Sequence, residues 1–141
     1  MGNLLVWLTY KKQYDATTDQ SAILATFSTA PAIRSPFWNF VTEAIGTFTL
    51  VFGVFYIAGG SIADEPISLG SLDALPVALL VMGIGFSLGG PTGYAINPAR
   101  DLGPRILHAL LPLKNKGNSD WKYAWIPVFG PLFGAGVAAL A

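Results

Sequence analysis

Long apolar runs alternate with shorter polar ones along this chain, and several are too long and too uniformly apolar to be one face of an amphipathic element. Residues 4–10 are apolar and aromatic, but fall short of the roughly twenty residues a helix needs to cross a bilayer. They predict the tail of a spanning helix, with Trp7 and Tyr10 at the membrane interface. An ordinary short N-terminal helix is the alternative. Residues 11–35 are polar and predict a long loop outside the membrane, with at most a short helix over 22–27. Residues 36–60 predict the first complete span, with Ser35 as its cap and Pro36 in its first turn. Residues 61–73 form a second polar loop, acidic through Asp64, Glu65 and Asp73. Residues 75–88 predict the next span, capped by Asp73, with Pro76 in its first turn and Gly89-Gly90-Pro91 as its stop. After a polar stretch at 112–121, residues 122–141 predict a third span, with Trp121, Tyr123 and Trp125 at the interface.

Between the last two spans stands Gly93-Tyr94-Ala95-Ile96-Asn97-Pro98-Ala99-Arg100-Asp101. Asn is a favoured N-cap and Pro a favoured first helical residue, so a helix should start at Pro98 and run to about Leu111. Residues 92–96 then read as extended chain. A capped start between two apolar segments predicts a half-helix that dips into a bilayer, its positive end at membrane depth. Gly46 with Gly53, Gly85 with Gly89 and Gly93, and Gly130 with Gly134 and Ala138 form rows of small residues where helices can approach closely.

Composition agrees with this pattern. Hydrophobic residues make up 52% and charged ones 11%, whereas a soluble domain is about a quarter charged. Net charge is zero, which argues against a nucleic-acid partner. Without cysteine there is no disulfide and no thiolate metal site, and His108 as the single histidine cannot build a histidine cluster. No metal or cofactor is expected. His108 itself reads as a surface residue near a loop.

Asn97-Pro98-Ala99 followed by Arg100 resembles the second NPA signature of the aquaporin superfamily, the major intrinsic proteins. Asp101, Arg105 and Pro127 resemble its glycerol-facilitator, or aquaglyceroporin, branch, while Val128 stands where that branch more often has Leu. The resemblance runs along the whole chain. It implies an all-α membrane protein: the second inverted repeat of the aquaporin fold, with three spanning helices plus one re-entrant half-helix, preceded by the tail of another helix. No first NPA motif stands in the sequence, so residues 1–141 are expected to be a single, partial channel domain that lacks the first repeat. The implied function is passive diffusion of glycerol and related small uncharged solutes, urea among them, with water, through a multi-pass channel of the cell membrane. Such a protein is not an enzyme, and in the family it is usually a homotetramer in the lipid bilayer. A water-selective channel, a non-conducting structural piece and the substrate domain of a secondary transporter remain as alternatives; the lack of further intramembrane charge speaks against the transporter. The resemblance puts the acidic 61–73 loop in the cytoplasm and Lys11, Lys12, Arg34, Lys114 and Lys116 outside. The positive-inside rule alone gives the inverse, and the motif is the stronger guide.

The same stretch supplies the candidate site. The Asn97 side-chain oxygen can cap the half-helix, which leaves its NH2 as a donor to a passing hydroxyl; a cap alone is the plainer reading. By resemblance Arg100 is the selectivity-filter arginine; an ion pair with Asp101 or Glu43 is the structural alternative. Tyr94 stands where the family lines the filter with an aromatic ring, or is an interface aromatic. Gly85 stands where water-selective members place a histidine, and should leave that space empty and widen the filter, or serve helix packing. Gly93, Tyr94, Ala95 and Ile96 carry non-helical backbone, which at membrane depth must be buried or line a cavity. The resemblance makes them a pore-lining ladder of acceptors. Glu43, the single charge between Phe37 and Ala58, is expected to accept N–H bonds from the re-entrant loop; a proton relay has no evident partners. Asp101 and Arg105, four apart on the half-helix, are expected to staple it locally.

Overall fold

The computed structural model describes residues 2–58, 61–62, 65–66 and 70–141. Among them the helices are α1 (Gly2–Thr9), α2 (Lys11–Ala16), α3 (Gln20–Ala25), α4 (Pro36–Ala58), α5 (Leu75–Thr92), α6 (Pro98–Leu110) and α7 (Ile126–Ala138). A two-residue antiparallel pair, Ser61–Ile62 with Glu65–Pro66, and a 3-10 turn at Gly70–Leu72 lie between α4 and α5. Asp64 of the acidic loop and Gly60 at the expected end of the first span lie outside the described residues.

The central helix is α4, which packs against α7 on one side and α5 on the other. The rows of small residues make both contacts. A Cβ on Gly134 would stand 2.1 Å from the Ala44 carbonyl oxygen, and one on Gly130 would stand 2.8 Å from the Glu43 Cβ. A Cβ on Gly53 would stand 2.6 Å from a terminal methyl of Leu80, so a larger residue there must displace that side chain, whereas at Gly134 it would meet backbone and force the helices apart. Helices α4 and α5 are long and apolar enough to cross a membrane, yet only 22% and 11% of their apolar windows are buried. A core helix of a soluble protein would be mostly buried, whereas Phe37, Trp38, Phe55, Leu79 and Phe86 point outward here.

Four expectations about the elements need correction. First, α5 does not stop at Gly89-Gly90-Pro91 but continues to Thr92. Pro91 removes only its own donor, and the terminator is Gly93, whose φ of 76° is left-handed and whose N–H returns to the Gly89 carbonyl. Its N-cap is Ala74, not Asp73. Second, residues 11–35 are not all loop. Asp19 caps α3 by accepting from the N–H groups of Ser21 and Ala22 at 2.9 and 3.2 Å. The Ser21 hydroxyl, with those N–H groups, holds the Asp19 carboxyl below the usual carboxylate range. Tyr14, Ile23 and Phe27 then bury themselves with Leu111 and Leu113, so the segment folds onto the far end of α6. Third, the last helix spans 13 residues instead of 122–141. Residues ahead of it close as tight turns, with Tyr123 N–H bonded to Asp120 O and Ile126 N–H to Tyr123 O. Pro127 in the first turn suits the late start. Fourth, Tyr123 is 1% exposed and not an interface residue, while Trp121 and Trp125 remain exposed.

Candidate functional site

The connection from α5 to α6 is not extended chain, contrary to the sequence expectation. Gly93, Tyr94 and Ile96 have φ of 76°, 39° and 42°, all left-handed. For the two non-glycine residues this costs about 1–2 kcal/mol each and persists only where the surroundings over-determine it. Glu43 supplies part of that constraint. It is 1% exposed, and its Oε1 and Oε2 accept from the Ala95 and Ile96 N–H groups at 3.0 and 2.7 Å. A buried and a part-buried donor and one buried carboxylate thus satisfy each other.

Asn97 follows with extended backbone. Its Oδ1 accepts from Ala99 N–H at 2.9 Å, and its carbonyl accepts from Arg100 N–H. Pro98 takes the first helical position. Because the amide oxygen is held by the helix start, the NH2 group is presented away from it. Arg100 lies on the exposed side of the first turn, and among the described residues its guanidinium has no hydrogen bond or ion pair. Pairing with Asp101 or Glu43 does not occur, because both carboxylates are engaged elsewhere.

Tyr94 and Gly85 form one unit. A Cβ on Gly85 would stand 3.1 Å from the Tyr94 Cζ, and one on Gly89 3.0 Å from its Cδ1. The space at Gly85 is therefore not empty, as the sequence suggested, but is filled by the Tyr94 ring. An open groove of about 520 Å³ runs along this ring, lined also by Ala78, Val81, Met82 and Phe86. Ala95 is buried at 1%, and Ile96 packs towards Gly46 of α4.

Asp101 and Arg105 do more than staple one helix. Both are fully buried. Arg105 Nε donates to Asp101 Oδ1 at 2.7 Å and Nη2 to Oδ2 at 3.0 Å. Its Nη1 donates to the Ser119 and Asp120 carbonyls at 2.7 and 3.0 Å, and Nη2 also to the Thr29 carbonyl at 2.9 Å. Thr29 N–H and Oγ1 both donate to Asp101 Oδ2 at 2.7 Å. His108 is not a surface residue. It is fully buried, with Nδ1 2.8 Å from the Ser119 hydroxyl and its ring edge-on to Phe27. Sequence reasoning missed Thr29 and Ser119, because neither lies within a turn of its partner and no local pattern marks them.

At the other end of α6, Lys116 Nζ donates to the carbonyls of His108, Ala109 and Leu111 at 3.3, 2.6 and 2.8 Å. It satisfies orphan acceptors and opposes the negative end of the helix dipole. Lys116→Met is expected to cost about 1 kcal/mol, read as a drop of a few degrees in Tm in detergent. An unchanged Tm would show that solvent caps this end equally well. Among the described residues no group of His, Cys, Asp and Glu could hold a metal ion.

Comparison with known proteins supplies the context. The family described as major intrinsic protein matches residues 1–141. Glycerol uptake facilitator protein 3 of Lactiplantibacillus plantarum is 53% identical over 140 residues, which cover 99% of this chain and 56% of that protein. The glycerol uptake facilitator protein of Streptococcus pneumoniae is 51% identical, with 99% and 57% covered. The solved structure of the aquaglyceroporin from Plasmodium falciparum is similar at a TM-score of 0.72 and 26% identity, covering 96% of this chain and 53% of that one. The chain spans about half the length of the curated relatives it matches.

Proposed function

We propose, since this chain belongs to the major intrinsic protein family, that it forms one half of a passive membrane channel for glycerol and related small uncharged solutes, with water. The observation that carries this reading is the start of α6. The Asn97 amide and the Arg100 guanidinium, which has no partner among the described residues, offer donors there, and the half-exposed Tyr94 ring offers an apolar wall. Fixed donors together with an apolar ring suit a polyol, which carries both hydroxyls and C–H groups. The names of the bacterial relatives support glycerol as the solute. Arg100 and the positive end of α6 oppose cations. No bond is made or broken, so the protein is not an enzyme.

In this reading α4, α5 and α7 are the spans of the second inverted repeat, and α6 is its re-entrant half-helix. The pore-lining residues are Asn97, Arg100, Tyr94, Gly85, Gly93, Ala95 and Ile96, with Glu43, Asp101 and Arg105 supporting them. A partner half-helix would meet α6 near Asn97. The assembly is a homotetramer in the cell membrane. A non-conducting piece is the second reading for residues 1–141 alone. It is favoured by the groove along Tyr94, which among the described residues is walled only by α5 and the 93–96 turn. Liposome swelling tests both. The 141-residue chain is expected to pass no glycerol above the lipid background, and a longer channel joining it to a first repeat is expected to pass it readily. Glycerol flux through the isolated chain would overturn the half-pore reading; no flux through the longer channel would overturn the glycerol reading.

A further inference from the structure

We propose that Thr29 is a positioning residue, which fixes the turn carrying Tyr94 and thereby the channel's preference between glycerol and water; the flux part of this rests on the pore reading above. Thr29 is 4% exposed. Its N–H and hydroxyl both donate to Asp101, and its carbonyl accepts from Arg105, so each of its polar atoms is bound to the buried pair on α6. Its opposite side meets the chain at Gly93, where an added Cβ would stand 3.3 Å from both Thr29 Cβ and Cγ2. Three residues on, Ala32 N–H donates to the Pro91 carbonyl at 3.1 Å. The segment around Thr29 therefore holds the backbone at 91–93 with one side and the first turns of α6 with the other. Between those two grips lie the left-handed residues Tyr94 and Ile96.

A strained turn keeps one shape only when both ends are held. Glu43 holds the 95–96 end, and Thr29 with Ala32 holds the 91–93 end. Serine would keep the hydroxyl that reaches Asp101 and the Cβ that faces Gly93, and lose only the methyl beside it. Valine would keep the shape and lose the hydroxyl, leaving Asp101 one donor short within a closed network. Because Arg105 shares that carboxylate, the loss relaxes the whole clamp, and the 93–94 backbone gains room to shift.

The experiment compares Thr29→Val and Thr29→Ser with the parent in the longer channel. Stopped-flow light scattering gives glycerol and water permeability on the same vesicles. Fluorotyrosine at position 94 gives a 19F resonance in detergent. Thr29→Val is expected to lower the glycerol-to-water ratio about threefold or more and to shift the resonance, and Thr29→Ser to stay within about twofold with the parent resonance. A parent-like ratio and resonance in Thr29→Val overturns the proposal. So does an equal fall of both fluxes with an unshifted resonance, which marks a role in folding alone. A changed ratio without a shift at Tyr94 overturns it as well, since Thr29 would then act elsewhere. Should the parent pass no glycerol, the pore reading fails, and the resonance by itself still decides the positioning role.

Discussion

Arg105→Met is expected to leave little folded channel. The side chain is fully buried and all three of its nitrogens are engaged: Nε and Nη2 with Asp101, Nη2 also with the Thr29 carbonyl, and Nη1 with the carbonyls of Ser119 and Asp120. Removing it strands the Asp101 carboxylate on the two Thr29 donors and orphans the carbonyl oxygens of Thr29 and Ser119, while the Asp120 carbonyl keeps only its bond from Tyr123 N–H. Breaking a buried pair by deleting one partner costs about 3–5 kcal/mol, a large share of the roughly 5–15 kcal/mol that holds a typical domain together. Arg105→Lys is expected to recover only part of this, because a single ammonium cannot reproduce the fork that reaches both Asp101 oxygens and the carbonyls. Asp101→Asn combined with Arg105→Met removes both charges and is expected to lie closer to the parent than Arg105→Met alone. Yield of monodisperse protein and Tm in detergent measure all three variants. An Arg105→Met variant with parental yield and Tm would mean that water replaces the clamp and that the network carries little stability.

Gly85→His is expected to reduce glycerol permeation about tenfold in the longer channel and water permeation much less. The Tyr94 ring already fills the space at Gly85, so an imidazole cannot simply occupy a gap. It must push the ring aside, and the ring stands on a residue with φ of 39° that has few other conformations open to it. The polyol then loses its apolar wall and meets a polar group in its place. Gly85→Ala brings a Cβ within 3.1 Å of the ring, a few tenths of an ångström too near, and is expected to have a small effect. Both fluxes are read by stopped flow on the same vesicles, with water as the control for folding. An equal proportional loss of glycerol and water would make Gly85 a packing residue and remove it from the pore.

By itself the sequence determined the features whose cause lies within a turn or a run of neighbours. Uninterrupted apolar runs specify α4 and α5, because in either a core or a membrane such stretches must satisfy their own backbone groups. Asn97-Pro98 specifies the start of α6, because a side-chain acceptor and a residue without N–H are what a helix start requires. The lone Glu43 announces a buried carboxylate in need of donors, and the spaced glycines announce close helix crossings.

Only the tertiary structure decided who answers those needs. Thr29 reaches Asp101 across 72 residues, and no local pattern encodes that distance. His108 looked like a surface residue until residues 11–35 folded over it and Ser119 came within 2.8 Å of its ring. Gly93 ends α5 where Pro91 was expected to, since one missing donor near a helix end costs less than the left-handed turn gains by sitting at a glycine. Gly85 read as vacant space because the sequence lists what a residue lacks. The fold decides which neighbour fills it, and the three left-handed residues at 93, 94 and 96 turn the Tyr94 ring back onto that site.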